Sequence, residues 1–577
     1  MYRHHRKPII FASLLLGYGG SPLVVQAQQP PPPPPRPDSG QILQELERVP
    51  PLRRQRTPES PVPPISTAKE LNASSSEDST LVAVRGYAMR GNTVFQADEL
   101  LALIHDRTGT LRLSQLEEVA AVITQYYRRH GYMVARAYLP PQDVSDGLVR
   151  IEVLEGRYGE VRIINSSSLS EDRIRAIVAR SSCPHADSCT GEFVRDRQLE
   201  EGMLRLADMP GVAVRGELQP GQEIGSADLL VTVAPGRRLT GEFNVSDSGG
   251  RYVGSERAVV ALTLANPIGW GDKLNLQTAY SSGSKYAALG YDLPVNNIGT
   301  RAFISGYWMD YELQETFRPL GAEGDTVGGE IGFNHILVRD ARGNISFGAT
   351  YGQKSVKDET AVTDLARERD ISTYTARFDA ALSDAWFGSS AGNRMSLAYT
   401  GGKNDIKDAV SLQFDAATAR TQGSFQKLAW WLSRNQQLAP RWNLVVRLNG
   451  QVATENLDSS EKLYLGGPYA VRAYPVGEAA GDRGYLGTVE LRRLFDGPFD
   501  GLTQVSAFYD RGHVRINAEP WNVEENERTL EGAGVGVDWN HRYGWSLSAA
   551  IAFRGSEKVQ AGPDRSYQVW VSAGYQF

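Results

Sequence analysis

Two short segments in the C-terminal part of the chain carry residue types that could act together. The first is a glycine-rich loop with a central arginine, and its candidate anchor residues are Val471, Arg472, Tyr474 and Asp482. The second is a strand whose candidate partners occur at every other position: Phe508, Asp510 and Gly512. A carboxylate on a wall away from bulk solvent needs a cation, and a guanidinium can bind it with two parallel hydrogen bonds. We therefore predict an ion pair between Arg472 and Asp510.

These segments must be positioned by β-strands whose two faces meet different surroundings. Residues 505–510 divide into two faces, and the face with Ser506 and Asp510 suits a polar lumen. The last eleven residues alternate in the same way, with Trp570 as the one exception, and they contain Tyr575 and Phe577. A strand of this kind is typical of an outer-membrane β-barrel, with lipid outside and a wet lumen inside.

The composition agrees with a barrel and excludes other classes. Of the 577 residues, 41% are hydrophobic, and the mean hydropathy of −0.35 is too low for a membrane protein built of spanning helices. The net charge of −6 gives no argument for nucleic acid binding. Residues 236–577 show one strand pattern after another. At roughly 21 residues for each strand and its loop, they supply about sixteen antiparallel strands.

The first 80 residues predict an exported chain with a tethered helix. A basic start, an apolar stretch and a small-residue site at Ala27 predict a cleaved signal peptide over residues 1–27. Residues 28–56 combine a proline-rich run with a short helix, and residues 57–80 form a polar linker. The apolar side of the helix is formed by Ile42, Leu43 and Leu46. A helix this short is unstable alone, so it must dock onto another part of the chain.

Two modules of similar pattern precede the strand-rich region. Residues 81–156 and 157–235 each combine a strand, helical segments with one apolar side and two further strands, which predicts two small α+β domains. Cys183 and Cys189 lie close together in a loop of the second module. In an exported chain this pair predicts a local disulfide, and a metal site is the weaker alternative because only His185 stands nearby.

Two motifs connect the chain to a known family. Val471-Arg472-Ala473-Tyr474 is similar to the VRGY loop motif, and residues 508–512 resemble the F-x-D-x-G strand motif, of outer-membrane transporters of two-partner secretion. These are the TpsB proteins of the FhaC, ShlB and HecB type. The two modules resemble the family's polypeptide-transport-associated (POTRA) domains, and the helix at residues 38–49 resembles its plug helix. Ala473 stands where the family usually has glycine, so a positive φ at this position would strain the backbone.

The resemblance implies transport of a polypeptide, without a cofactor or a metal. The POTRA domains, in the periplasm, would capture a secreted exoprotein of the TpsA type by adding its strand to a sheet edge. The exoprotein would then cross the outer membrane through the barrel, whose lumen loop Arg472 anchors to Asp510 and whose lumen the plug helix fills at rest. The chain is expected to be a monomer that contacts outer-membrane lipid and no nucleic acid. The barrel-assembly machinery would recognise Tyr575 and Phe577.

Three alternatives to secretion are an enzyme, a passive porin and a barrel-assembly insertase. Residues 388–392 match the G-x-S-x-G pattern, but they lie among strand patterns and lack the strand-to-helix turn that a nucleophile of this type requires. A porin does not need two periplasmic modules, and insertases of this superfamily usually carry more than two. The sequence therefore predicts a transporter that secretes a large exoprotein of the adhesin, hemolysin or toxin type.

Overall fold

The computed structural model of the chain describes residues 36–47, 65–67, 81–184, 188–521 and 525–577. The predicted signal peptide, most of the proline-rich run and most of the linker lie outside these residues. The predicted short helix is α1 (Ser39–Glu47), and the linker contains the strand β1 (Ile65–Thr67). Within the described part of the chain, no helix combines the length and the apolar character needed to cross a membrane.

The first module is a small sheet covered by one long helix. Its elements are β2 (Leu81–Val84), β3 (Gly86–Arg90), α2 (Ala97–Ala102), β4 (Gly109–Arg112), α3 (Leu113–Arg129), β5 (Arg136–Tyr138) and β6 (Leu148–Leu154). The strand β6 pairs in parallel with β3 and antiparallel with β5. The helix α3 buries Leu116, Ile123 and Tyr127 in the same apolar cluster as Val149 and Ile151 of β6. The helix α2 is not predicted, because six residues are too few for a helical period to be detected.

The second module repeats this arrangement. Its elements are β7 (Arg157–Asn165), α4 (Glu171–Ser182), α5 (Asp196–Ala207), β8 (Val212–Pro220) and β9 (Ser226–Pro235). The strand β9 pairs in parallel with β7 and antiparallel with β8, as β6 does with β3 and β5. This shared strand order explains why the two sequence patterns look alike. Cys183 and Cys189 follow α4, and the predicted disulfide between them is present, with the two Cα atoms 5.3 Å apart.

The linker contributes one strand to the second module. The strand β1 runs parallel to β8, with Ile65 opposite Gly216 and Thr67 opposite Leu218. No strand is predicted at this place, since three residues are too few for an alternation to be detected. One edge of the sheet in the second module is therefore already paired, and β7 forms the other edge.

Sixteen antiparallel strands close into a barrel, as predicted. The first eleven are β10 (Leu239–Ser246), β11 (Arg257–Ala265), β12 (Lys273–Ser281), β13 (Ser284–Pro294), β14 (Thr300–Glu312), β15 (Ala322–Asp340), β16 (Gly343–Thr360), β17 (Leu365–Asp384), β18 (Ala391–Ile406), β19 (Gly423–Ala439) and β20 (Trp442–Ala453). A short helix, α6 (Ala409–Ala417), lies between β18 and β19. A separate hairpin follows, formed by β21 (Leu463–Leu465) and β22 (Ala479–Gly481). The last five barrel strands are β23 (Arg483–Asp496), β24 (Gly501–Arg515), β25 (Glu527–His541), β26 (Trp545–Arg554) and β27 (Tyr567–Gln576).

The two faces of the barrel strands differ as their alternation predicts. On β24, Val505 and Tyr509 are 40% and 43% exposed, whereas Phe508 and Asp510 are 5% and 1% exposed. The strand β27 closes the barrel against β10, and Val569 and Val571 are exposed on its outer face. The outer face therefore fits a lipid surface, and the inner face encloses a lumen.

Two elements occupy this lumen. The lumen loop, residues 454–482, joins β20 to β23, and its residues Val471 and Tyr474 pack against Leu486 and Phe508 of the wall. The plug helix, which is α1, packs against the wall formed by β11 to β14. A single turn of 3-10 helix in the lumen loop, Ser459–Glu461, lies against the plug helix.

Candidate functional site: the lumen loop and the plug helix

The lumen loop is tied to the barrel wall by a buried ion pair. Nε of Arg472 donates to Oδ2 of Asp510 at 2.8 Å, and Nη2 donates to Oδ1 at 2.9 Å. The backbone N–H of Arg472 also donates to Oδ2, at 3.2 Å. The structure thus brings together the two residues that the sequence pairs, with two parallel side-chain bonds between the guanidinium and the carboxylate.

The spacing of the strand motif has a physical reason at each position. Phe508, Asp510 and Gly512 all face the lumen, because they share one parity on β24. The ring of Phe508 lies beneath the guanidinium of Arg472, with Cζ 3.3 Å from the ring centroid. A Cβ at Gly512 would come within 2.7 Å of the Leu465 side chain, so a larger residue would push the loop away from the wall. The motif therefore provides an aromatic ring that stacks on the guanidinium, a carboxylate that binds it, and a position without a side chain where the loop lies close to the wall.

A second carboxylate completes the anchor of the loop. Glu490 on β23 accepts from Nη1 of Arg472 at 3.1 Å and from Nε of Arg492 at 2.6 Å. Arg447 on β20 lies 3.6 Å from the same carboxylate. Glu490 is not among the residues predicted from the sequence. It alternates with Thr488 and Arg492 on β23, however, and this parity places all three on the lumen face.

The other residues of the loop motif fix its tip. Val471 and Tyr474 are fully buried, and the Tyr474 hydroxyl donates to the carbonyl of Glu557 at 3.1 Å. Trp570 breaks the alternation of the last strand because its indole faces the lumen, where Nε1 donates to the carbonyl of Arg472 at 2.8 Å. The one exception in the closing strand is therefore a contact to the loop.

Ala473 is accommodated without a positive φ. It is absent from the described residues with positive φ, so the strain expected for alanine at this position does not arise. Its methyl group lies against Gly532 on β25, where any Cβ would overlap it. The loop tip thus accepts alanine because the wall opposite it has no side chain.

Asp482 belongs to a different contact from Arg472. Its carboxylate pairs with Nζ of Lys462 at 2.9 Å, and it accepts from the backbone N–H groups of Leu457 at 3.2 Å and Ala518 at 2.8 Å. Asp482 therefore holds the base of the lumen loop, whereas Arg472 holds its tip. Both residues hold the loop, as candidate anchors should, but they do so through separate contacts, because Asp482 lies at the end of the loop next to the start of β23.

The plug helix buries the predicted apolar residues. Ile42, Leu43 and Leu46 are each 1% exposed, and they join an apolar cluster with Tyr252 and Met309 of the barrel. The side chain of Asp38 caps the helix, since its Oδ1 accepts from the N–H of Gln41 at 3.0 Å. At the other end, Nη1 of Arg257 donates to the carbonyl of Glu45 at 3.1 Å. The positive charge of Arg257 is favourable there, because the carboxyl end of a helix carries a partial negative charge.

A buried arginine on the wall connects the plug helix with the lumen loop. Ser39 at the start of the helix donates to Oδ1 of Asp358 with its backbone N–H at 2.9 Å and with its hydroxyl at 2.6 Å. Nη1 of Arg369 donates to Oδ2 of the same Asp358 at 2.7 Å. Arg369 also forms an ion pair with Asp458 of the lumen loop. We call Asp358, Arg369 and Asp458 the plug junction.

The plug junction places several negative charges near each other. Burial, and then the neighbouring carboxylate of Asp358, raise the pKa of Asp38 above its ordinary value. The positive charge of Arg369 acts in the opposite direction. The net result is a raised pKa, which means that the negative charge of Asp38 is less favourable when the helix is docked. The ionised form of Asp38 therefore weakens the docking of the helix that this residue caps.

The plug helix and the lumen loop also touch directly. Nε2 of Gln44 donates to the carbonyl of Ser460 at 2.6 Å. A Cβ at Gly40 would overlap the backbone of Ser460, so the helix approaches the loop as closely as its backbone allows. The adjacent Glu461 of the loop binds Lys354 and Lys427 of the wall, both at 2.6 Å. The helix therefore rests on a part of the loop that is itself fixed to the wall.

These contacts join segments of the chain to one another. Within the described residues, no group of three or more histidine, cysteine, aspartate or glutamate side chains could hold a metal ion. The G-x-S-x-G run begins in the connection between the strands β17 and β18 and ends within β18, so a strand and not a helix follows it. The backbone N–H of Phe577 donates to the carbonyl of Gly241 at 3.1 Å. Its proposed role with Tyr575 in barrel assembly stays a prediction.

Comparison with known families identifies the chain. The profile described as "Haemolysin secretion/activation protein ShlB/FhaC/HecB" matches residues 225–539, which is more than half of the chain. The profile "POTRA domain, ShlB-type" matches residues 82–156, which form the first module. The chain belongs to the ShlB/FhaC/HecB family. This ShlB/FhaC/HecB protein is an outer-membrane transporter that secretes a partner exoprotein, and its POTRA domains lie in the periplasm.

Individual proteins are similar to the chain in sequence or in fold. The "Heme/hemopexin transporter protein HuxB" of Haemophilus influenzae is 27% identical over 471 residues, which cover 80% of this chain and 81% of HuxB. The structure of CdiB from Escherichia coli has a TM-score of 0.65 at 20% identity, with 94% of this chain and 96% of CdiB covered. The structure of BamA from Haemophilus ducreyi lacking POTRA domains 1-3 has a TM-score of 0.52 at 15% identity, with 86% and 100% covered. The two structures show that the fold is shared.

Proposed function

We propose that this ShlB/FhaC/HecB protein is a closed conduit for an extended polypeptide, and that the plug junction keeps it closed. The observation that carries the proposal is the position of Arg369, which is 1% exposed between Asp358 and Asp458. Asp358 accepts hydrogen bonds from the backbone N–H and the hydroxyl of Ser39 in the plug helix, and Asp458 belongs to the lumen loop. One arginine on the wall thus supports both elements that occupy the lumen.

Opening then requires the plug helix to leave this position. Its polar contacts at the amino end depend on one serine, and its apolar side covers only three fully buried side chains. A helix of nine residues has little stability of its own, so it can dock and leave as a unit when its contacts change. The lumen loop keeps its own anchor at Arg472 while this happens.

The periplasmic modules are the proposed capture site for the exoprotein. A sheet edge with unpaired backbone groups can bind an extended segment by adding it as a strand. The strand β8 already accepts β1 in this way, and three residue pairs join the two strands within the described part of the linker. A longer segment of the exoprotein would replace β1 at this edge. The exoprotein is proposed to be a large adhesin, hemolysin or toxin, and the transporter is proposed to work as a monomer.

The experiment is single-channel recording of the full chain in planar bilayers. Arg369→Ala removes the shared partner of Asp358 and Asp458, so frequent openings to a high conductance are expected. Arg441→Ala is the matched control, because Arg441 pairs with Asp496 at an exposed strand end. Openings of Arg369→Ala no more frequent than those of the control would contradict the proposal. Heat-modifiable migration on a gel shows that the barrel of each variant is folded.

A further inference from the structure

A cavity of about 950 Å³ lies beneath the lumen loop, on the side of the second periplasmic module. Its lining extends from Asp208, which directly follows α5, to Arg472 of the loop, and its wall is supplied by β15 to β20 and β23. The charged side chains of this lining are mostly arginines: Arg339, Arg342, Arg394, Arg447, Arg472 and Arg492. Asp208 is the one carboxylate among the described lining residues. We call this space the arginine vestibule.

Four of the six arginines already have carboxylate partners. Arg339 forms two bonds with Asp208 at 2.8 and 2.9 Å, which join the barrel to the second module. Arg472, Arg492 and Arg447 share the two carboxylates of the loop anchor described above. The positive charge of these four groups is therefore largely compensated.

Arg342 and Arg394 are the exception. Both side chains are exposed, and neither guanidinium forms an ion pair within the described residues, although the backbone N–H of Arg342 donates to Oδ1 of Asp340 at 2.9 Å. Arg394 shares the lumen-facing parity of β18, because Leu397 and Tyr399 of the opposite parity are exposed outside. Asp379, a carboxylate of the neighbouring strand, is paired in register with Ser396 rather than with Arg394. Two guanidinium groups thus stand free at the periplasmic side of the lumen.

A second cavity on the same wall has a different charge. It has a volume of about 340 Å³ and is lined by residues of β14 to β19, next to the plug helix. Its charged lining is mixed: Glu47, Glu330, Glu461, Lys354, Arg377 and Lys427. A polypeptide that arrives from the periplasmic modules would meet the basic vestibule first and the mixed cavity afterwards.

We infer that the arginine vestibule receives acidic side chains of an extended polypeptide, with Arg342 and Arg394 as its free contact points. This inference rests on the proposed transport function and adds the chemistry of the transported segment. A guanidinium matches a carboxylate with paired hydrogen bonds, and a cleft lined by one sign of charge attracts the opposite sign. Exposed pairs are weak and screened by salt, so they can guide a segment without retaining it.

The test is binding of two fluorescent peptides to the full chain in detergent at low salt, measured by anisotropy. One peptide alternates aspartate and serine, and the other alternates lysine and serine. We expect the acidic peptide to bind at least about tenfold more tightly than the basic peptide. The double variant R342E/R394E should lose this preference. R441E is the matched control, since Arg441 is exposed at another connection of the barrel and does not line the vestibule.

Equal binding of both peptides, or an unchanged preference in R342E/R394E, would overturn the inference. If the double variant lacks heat-modifiable migration, Arg394→Gln replaces it, because this change removes one charge and keeps the length of a polar side chain. The conductance of Arg369→Ala is recorded on the same preparations. Frequent openings without a peptide preference would reject the vestibule and leave the proposed function intact, whereas absent openings would reject the proposed function itself.

Discussion

Arg472 of the lumen loop and Arg369 of the barrel wall have similar surroundings, yet they connect different elements. Each guanidinium lies between two carboxylates, Glu490 and Asp510 for Arg472 and Asp358 and Asp458 for Arg369. Both partners of Arg472 belong to the neighbouring strands β23 and β24. The partners of Arg369 belong to the strand β16 and to the lumen loop.

This difference separates a fixed contact from one that can change. The loop anchor lies entirely between the loop tip and two paired strands, so it does not depend on the plug helix. At the plug junction, Asp358 is shared between Arg369 and Ser39 of the helix. The departure of the helix would remove two hydrogen bonds from this carboxylate, which would keep its bonds to Arg369 and to the hydroxyl of Tyr311. We expect the first arginine to be required for secretion and the second to be required for closure.

The largest expected effect is the loss of secretion when the loop anchor is broken. Removing one member of a buried, hydrogen-bonded ion pair costs about 3–5 kcal/mol, because the other member is left uncompensated. The loop tip should lose its position in Arg472→Ala and in Asp510→Ala, whereas the many hydrogen bonds between strands should preserve the barrel. Secretion of the exoprotein, measured in the culture medium, should fall severely in both variants. Arg472→Lys should restore secretion only in part, since an ammonium lacks the two-pronged geometry.

A double-mutant cycle makes this prediction sharper. If Arg472 and Asp510 act as a unit, the double alanine variant should secrete about as poorly as each single variant. Losses that simply add would mean that the two residues act independently. Normal secretion by either single variant would show that the loop anchor is not needed for transport.

The next effect concerns the fit between the plug helix and the lumen loop. Gly40→Ala favours the helix by about 1 kcal/mol in isolation. In the docked helix, however, the new methyl group would overlap the backbone of Ser460. We expect more frequent openings in single-channel recordings, although the substitution makes the isolated helix more stable. Gly401→Ala is the control, because a Cβ at Gly401 meets no atom within 4 Å, and it should behave like the unchanged protein.

The smallest expected effect is a decrease in the frequency of channel openings, caused by a change at Asp38. Because docking raises the pKa of Asp38, its negative charge opposes docking when the pH is above this raised value, and docking strengthens as the pH falls through it. Asp38→Asn removes the charge and keeps a side chain that can cap the helix. Openings should therefore become rarer than in the unchanged protein at neutral pH. They should also depend less on acidification, and more frequent openings would contradict this assignment.

Much of the loop anchor can be predicted from sequence, but the plug junction cannot. The alternation on β24 places Asp510 on the lumen face, and one guanidinium in a nearby glycine-rich loop is a sufficient partner. Arg369 offers no such signal, because its partners lie 11 and 89 residues away and meet it only after the strands pair in register. For the same reason, the separate contacts of Asp482 at the base of the loop and the pairing of β1 with β8 are not predicted. Local alternation reveals which way a side chain faces, whereas its partner depends on the closed barrel.

The most direct test of the account is to compare two ways of opening the lumen. Deletion of residues 28–56 removes the plug helix entirely, whereas Arg369→Ala leaves it in the chain and removes the plug junction. If the plug helix closes the lumen and Arg369 holds it there, both proteins should show the same high conductance level in planar bilayers. The deletion should remain at this level, and Arg369→Ala should reach it intermittently. An unchanged conductance after the deletion, or a different open level in Arg369→Ala, would contradict the account.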